Sequence, residues 1–353
     1  MKIILFSKYG KLGASSRIRS YQYLPYIEKS GILIDIFPLF SDAYLNILYN
    51  RGKRSKLYII NSYFKRLINL FNIKRYDLIW IEKELFPYMP PIFERIFKTL
   101  NLTYILDYDD AVFHNYDLNK NFFIKFLLKD KIKIIMKNAK LVIVGNEYLA
   151  NYARKAGAKN ILLLPSSIDL NKYTYSDKFN INNFKIGWIG TPMTFKYINP
   201  ILEIILEFCK NYNSKLILIG ANSEYFNSNY IEYKKWYENR EIEYIKDIDV
   251  GLMPLFDTPW ERGKCGYKLL QYMACGRPVI ASPVGINNEI IIHGINGFLV
   301  KNVEDWYKYL LILYNNINLR KKMGKIGRKL VEEKFSLEKN ALKLIKILKN
   351  IEK

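Results

Sequence analysis

The stretch Asp249-Val-Gly-Leu-Met-Pro-Leu-Phe-Asp-Thr-Pro-Trp-Glu-Arg-Gly-Lys-Cys-Gly-Tyr-Lys-Leu-Leu-Gln-Tyr-Met-Ala-Cys-Gly-Arg-Pro-Val-Ile-Ala-Ser-Pro-Val-Gly285 decides the fold. It reads as strand, loop, helix, glycine stop, strand, loop. The apolar runs Val250–Pro254 and Pro278–Ala281 flank a helical pattern at about Tyr267–Ala274. Strands alternating with helices predict a parallel, doubly wound sheet.

The alternation continues outward. Phe184–Gly190 is a strand ending in glycine, followed by a helix at about Ile198–Asn211 and a strand at Lys215–Ile219. A similar unit precedes it. Its strands are expected at Lys2–Phe6, Ile32–Phe37, Leu78–Ile81, Thr103–Leu106, Leu141–Val144 and Ile161–Leu164, with a helix from about Ser15 to Glu28. The polar segment Asn171–Asn183 is the best linker. The expected architecture is α/β, with two doubly wound Rossmann-like domains facing a central cleft. The first spans 1–172 and the second 173–335, while 336–353 is a C-terminal helix packing back on the first. Ligands of such sheets sit beyond the carboxyl ends of the strands, so the loops of both halves would line the cleft.

Composition narrows the function. The 353 residues are 50% hydrophobic and 25% charged, a globular balance, with a mean hydropathy of −0.10. No apolar run approaches the roughly 18–20 residues of a membrane span. The N-terminal stretch lacks a signal-peptide core, which predicts a cytoplasmic chain. Three cysteines without ligand spacing argue against a disulfide scaffold or a zinc ribbon, and two histidines exclude mechanisms needing several. The net charge is +22, with +14 in residues 1–172 and +8 in the remainder. That excess points to an anionic partner, although an Ile/Asn/Lys/Tyr-rich coding bias also inflates lysine. No acidic residue lies between Asp42 and Asp77, where eight residues are basic. Leu57–Phe71 and Phe122–Lys140 interleave aromatics, aliphatics and lysines. Both read as basic amphipathic helices on an anionic membrane surface, the alternative being plain solvated faces. No nucleic-acid module is recognised, so nucleic acid is not an expected partner.

Within the deciding stretch, the loop Trp260–Gly266 feeds a helix N-terminus and carries Arg262 and Lys264. Cations and helix-start N–H groups suit a diphosphate. Lys268 lies one turn further on, and Gln271 shares its face. Gly285 belongs to a second such loop. Gly190 lets a phosphate approach the backbone at a strand end, and Thr191 offers a hydroxyl.

These residues, with Asn296-Gly-Phe298, resemble the donor-binding half of the family 4 retaining glycosyltransferases. The likeness extends more weakly to Ile186–Pro192, Pro165–Asp169 and the N-terminal glycine loop. The resemblance implies a GT-B fold, a nucleotide-diphosphate sugar as co-substrate, no other cofactor and no metal. It also implies same-face transfer in which a phosphate oxygen takes the acceptor proton. The acceptor would be a glycan or a polyprenyl-linked glycan of polysaccharide or cell-envelope synthesis. The family's Glu-x7-Glu pattern is altered here: Gln271 stands for the second glutamate, Gly263 falls at the first, and Glu261 lies two positions early.

The donor-binding set is then Gly190, Thr191, Arg262, Lys264, Gly266, Lys268, Gln271 and Gly285. His114, Asp110 and Glu261 are the catalytic candidates. Gly13, Arg17, Arg19, Asp109 and Glu82 are expected on the acceptor side, with Arg17 and Arg19 either meeting an acceptor phosphate or lying as surface cations. The alternatives are an epimerase-like enzyme of the same fold, or a degenerate protein that binds sugar nucleotide without turnover.

Overall fold

The computed structural model describes residues 1–51, 55–180, 182–221, 226 and 228–351. Lys53 and Arg54, two of the basic residues noted above, lie outside the described residues. The chain divides into two compact units. One comprises Met1–Ser166, Arg262–Cys265 and Leu337–Lys353, and the other Ser167–Glu261 and Gly266–Ser336. The division expected at residue 172 therefore falls at Ser166. Arg262–Cys265, expected with the second domain, belongs to the first unit.

The described strands of the first unit are β1 (Lys2–Phe6), β2 (Leu33–Ile36), β3 (Leu78–Glu82), β4 (Tyr104–Tyr108), β5 (Leu141–Val144) and β6 (Ile161–Leu163). They form a parallel sheet in the order β2-β1-β3-β4-β5-β6. The central strands are mainly apolar because both of their faces are covered, with Glu82 and Asp107 as the carboxylates near their carboxyl ends. On one face Ile3, Leu5, Trp80 and Ile143 join a core with Leu337, Ala341, Leu344 and Leu348 of the terminal helix.

Two helices differ from expectation. The helix expected over Ser15–Glu28 is broken into Ala14–Arg19, a 3-10 turn at Tyr21–Tyr23, and Leu24–Lys29. Pro25 is the reason: it has no N–H to continue the ladder and sits in the first turn of the last segment. Phe122–Lys140 likewise forms two helices, Phe122–Leu128 and Lys131–Asn138.

The second unit's described strands are β7 (Lys185–Ile189), β8 (Lys215–Ile219), β9 (Ile231–Lys234), β10 (Val250–Met253), β11 (Val279–Ala281) and β12 (Gly297–Leu299). They are parallel in the order β12-β11-β10-β7-β8-β9. β9 and β12 were not foreseen. β9 is a half-buried edge strand with polar alternation, and β12 has only three residues.

Arg19 corrects a sequence expectation. It is neither on the surface nor placed to meet an acceptor, since 1% of it is exposed. Its Nε donates to Asp107 Oδ1 at 2.7 Å and its Nη1 to the Leu164 carbonyl at 2.7 Å. It thus ties the first helix to the ends of β4 and β6. Burial pushes the Asp107 carboxyl up to about 6 even against the guanidinium. Arg19→Met should cost about 3–5 kcal/mol in urea unfolding, the scale for leaving one buried charge uncompensated. Arg19→Met combined with Asp107→Leu should recover most of that loss. A single-variant loss below about 1 kcal/mol would show that the pair is not structural.

Candidate functional site

In the first unit the loops leaving β1, β3 and β4 converge on one buried ammonium. Lys83 follows β3 with a left-handed backbone (φ +66°), which turns its side chain across the strand ends. Its Nζ lies 2.8 Å from Asp109 Oδ1, 3.3 Å from Asp110 Oδ2 and 3.0 Å from Ser15 Oγ. Burial alone would raise the Asp109 carboxyl. The Lys83 ammonium and the Ser15 hydroxyl, 2.6 Å from Oδ2, overcome this and hold it down at about 2. Asp110 is the more exposed carboxylate, and Lys264 Nζ lies 3.8 Å from it.

Glu82 takes a different part from the one expected. It is buried, and it accepts from Ser16 Oγ at 2.7 Å and from the Lys8 N–H at 2.9 Å. Burial raises its carboxyl. Its work is to shape the loop after β1 and not to touch an acceptor. In that loop Gly13 is required by packing, since a Cβ there would lie 2.3 Å from Tyr9 Cβ. Arg17 is half-buried, with Nη1 donating to the Lys11 carbonyl. His114 begins a short helix with both ring nitrogens engaged, Nδ1 to Asp117 and Nε2 to the Tyr148 hydroxyl, each at 2.8 Å.

The segment Arg262–Cys265 is fastened to this unit by Asn146, whose amide donates to the Gly263 and Lys264 carbonyls at 3.0 Å. A Cβ on Gly263 would meet Ala111 Cβ at 2.5 Å and Ala111 N at 2.7 Å. No side chain fits where the resemblance would put a glutamate. Arg262 is exposed.

The second unit gathers another group at the carboxyl end of β7. Gly190 closes the strand, and a Cβ there would lie 2.3 Å from Trp188 Cη2. Thr191 caps the following turn reciprocally with Thr194. Lys268 Nζ stands 4.5 Å from the centroid of the same Trp188 ring. Gly190, Thr191 and Lys268 are therefore brought together. Gly266 (φ +66°) caps the helix Tyr267–Ala274, and a Cβ there would meet Ile290 Cδ1 at 2.7 Å, next to the loop carrying Gly285 (φ +53°).

Two expected residues of this unit are turned inward. Glu261 is buried, accepting from the Tyr197 hydroxyl at 2.7 Å and from the Thr258 hydroxyl. Gln271 is buried, and its amide donates to the Tyr173 hydroxyl at 2.9 Å and to Glu241 Oε1 at 2.7 Å. Its amide is spent on the core instead of on a ribose. The sequence reading does not single out Lys83, Trp188 or Asn146. Of these only Lys83 carried a signal: a lone cation between Glu82 and Glu84 at a strand end.

Residues 183–316 match the family Glycosyl transferases group 1. A protein named an uncharacterized glycosyltransferase, MJ1069 of Methanocaldococcus jannaschii, is 24% identical over 242 residues, 62% of this chain and 60% of that protein. The capsular polysaccharide biosynthesis glycosyltransferase CapM of Staphylococcus aureus is 28% identical over 163 residues, 44% of this chain and 43% of CapM. The chain thus spans under two thirds of either relative. Among solved structures, sucrose-phosphate synthase from Thermosynechococcus elongatus superposes with a TM-score of 0.76 at 16% identity over 99% of both chains. HepE of Anabaena, solved in complex with UDP-glucose, gives 0.73 at 16% identity over 99% of this chain and 100% of its own. Residues 183–316 are thus similar to a glycosyl transferases group 1 domain, and the chain has the GT-B fold, two doubly wound Rossmann-like units.

Proposed function

We propose that this chain is a retaining, metal-independent glycosyltransferase of hexosyltransferase type. It would move a sugar from a nucleotide-diphosphate sugar to a glycan or polyprenyl-linked glycan acceptor, working peripherally at the cytoplasmic face of an anionic membrane. The observation that carries the reading is the grouping at the end of β7. Gly190 ends the strand without a side chain, because Trp188 and Thr194 fill its Cβ position, and Lys268 stands over the same Trp188 ring. The helix that bears Lys268 begins at Gly266, so its positive end adds to the cation. Such an arrangement suits a diphosphate at the carboxyl edge of a parallel sheet. HepE, of the same fold, was solved with UDP-glucose, which supports a uridine nucleotide among the candidates.

In this reading the second unit holds the donor and the first holds the acceptor. The bond from the anomeric carbon to the diphosphate oxygen breaks. The acceptor hydroxyl forms the new bond on the same face, and its proton passes to the departing phosphate oxygen. Lys268 offsets the charge on the nucleoside diphosphate. Asp110, the more exposed carboxylate of the Lys83 cluster, orients the acceptor. His114, fixed through Asp117 and Tyr148, is a donor-sugar contact only if one of those bonds exchanges.

One observation favours a second reading, a sugar-nucleotide-binding protein without turnover: Gln271 and Glu261 both spend their polar atoms inside the second unit. Release of nucleoside diphosphate in the presence of an acceptor separates the two, because the second reading allows none.

Thermal shift against UDP-, GDP-, ADP- and CMP-sugars should show stabilisation by one nucleotide class, unchanged by EDTA. A shift abolished by EDTA would refute metal independence. Lys268→Ala should weaken donor binding at least tenfold, about 1.4 kcal/mol, by calorimetry. Unchanged affinity would remove it from the diphosphate site.

A further inference from the structure

The helix Lys56–Leu70 is apolar on both sides: Tyr58, Ile59 and Tyr63 pack inward on Leu39, Phe40, Tyr44 and Leu45. Its one buried cation, Arg66, points inward, with Nη2 donating to the carbonyls of Ser7 at 2.5 Å and Phe37 at 2.8 Å. Its outward face is apolar. Leu57, Ile60, Phe64 and Ile68, with Phe71 just beyond the helix, recur at helical spacing and are 47–86% exposed. The helix Phe122–Leu128 repeats the pattern, with Phe122, Phe123, Phe126 and Leu127 67–72% exposed. Isolated exposed apolar residues are ordinary, but two contiguous sets are not.

Both sets flank the loop after β3. Tyr63 donates to the Pro87 carbonyl at 2.7 Å. The Phe86 ring packs between Tyr63 and Phe93, and Lys131 Nζ donates to the Phe86 carbonyl at 2.6 Å. That loop begins at Glu82 and Lys83, so the apolar faces adjoin the carboxylate cluster of the same unit. Exposed lysines edge both faces: Lys56 and Lys65 on one, Lys120, Lys125 and Lys129 on the other. The nearby Asp130 is paired with Lys133 at 2.8 Å. The helix Lys131–Asn138, expected to share the surface, instead buries Ile132, Ile135 and Met136.

We propose that the helices Lys56–Leu70 and Phe122–Leu128 form a docking face for an anionic lipid bilayer, their apolar side chains entering the acyl boundary and their lysines meeting the headgroups. The combination supplies the two signals, apolar area and positive charge, that stable peripheral binding requires. It rests on the peripheral location in the proposed function and assigns that location to particular residues. A lipid-linked acceptor would then present its polar end to the Lys83 cluster while its chain stayed in the membrane.

The test is co-sedimentation of the full chain with vesicles of phosphatidylcholine alone, or of phosphatidylcholine mixed with phosphatidylglycerol. The expected result is binding to the mixed vesicles at least about tenfold tighter than to the neutral ones, weakened by salt. Ile60→Ser with Phe64→Ser, and Phe122→Ser with Phe126→Ser, should each reduce that binding about tenfold or more with melting temperature and nucleotide-sugar affinity unchanged. Equal binding of variants and parent, or no binding to the mixed vesicles, would overturn the proposal. So would a parent that self-associates through this face, seen as a dimer that the serine variants lose. Vesicle binding without nucleotide-sugar affinity would instead count against the transferase reading and leave the docking face standing.

Discussion

A single buried ammonium organises the first unit. Lys83 reaches Asp109, Asp110 and Ser15 at once, and Ser15 and Ser16 both reach Glu82. Residues from three loops far apart in sequence are held together because a parallel sheet delivers every strand's carboxyl end to the same edge. A carboxylate pair this close would repel without the cation between them. The left-handed turn at Lys83 puts that cation in place, and the Arg19–Asp107 pair fixes the helix that carries Ser15 and Ser16.

The second unit uses the same edge differently. At the end of β7 there is little charge of its own, only the absence of a side chain at Gly190 and a cation, Lys268, held over Trp188. Glycines at 190 and 266 are places where a Cβ would strike its neighbours. Gly263 is a third such place, in the segment that belongs to the first unit, and its contact with Ala111 accounts for the missing glutamate. The backbone there is too close to another chain segment for any side chain.

Most of the strand order was legible because strands buried on both faces carry apolar runs, as in Ile3–Phe6 and Leu78–Ile81. β9 was not, because an edge strand half open to solvent mixes Glu232 and Lys234 with Ile231 and Tyr233. The glycine-bearing loops were legible for the same reason as the strands: their spacing is local. Side-chain fates were less so. Arg19, Glu82, Glu261 and Gln271 looked available, and each is buried by a partner remote in sequence: Asp107, Ser16, Tyr197 and Glu241. No spacing rule reports such a partner. Lys83 offers in sequence only its place between Glu82 and Glu84, while the left-handed backbone that aims it has no sequence signal.

The account assigns a phosphate-suited edge to the second unit and a carboxylate cluster to the first, and its central claim is transfer with retention. The most direct measurement is the NMR coupling of the anomeric proton in the glycoside formed from an α-linked nucleotide-diphosphate sugar. The account predicts an α-glycoside. A β-glycoside would contradict it.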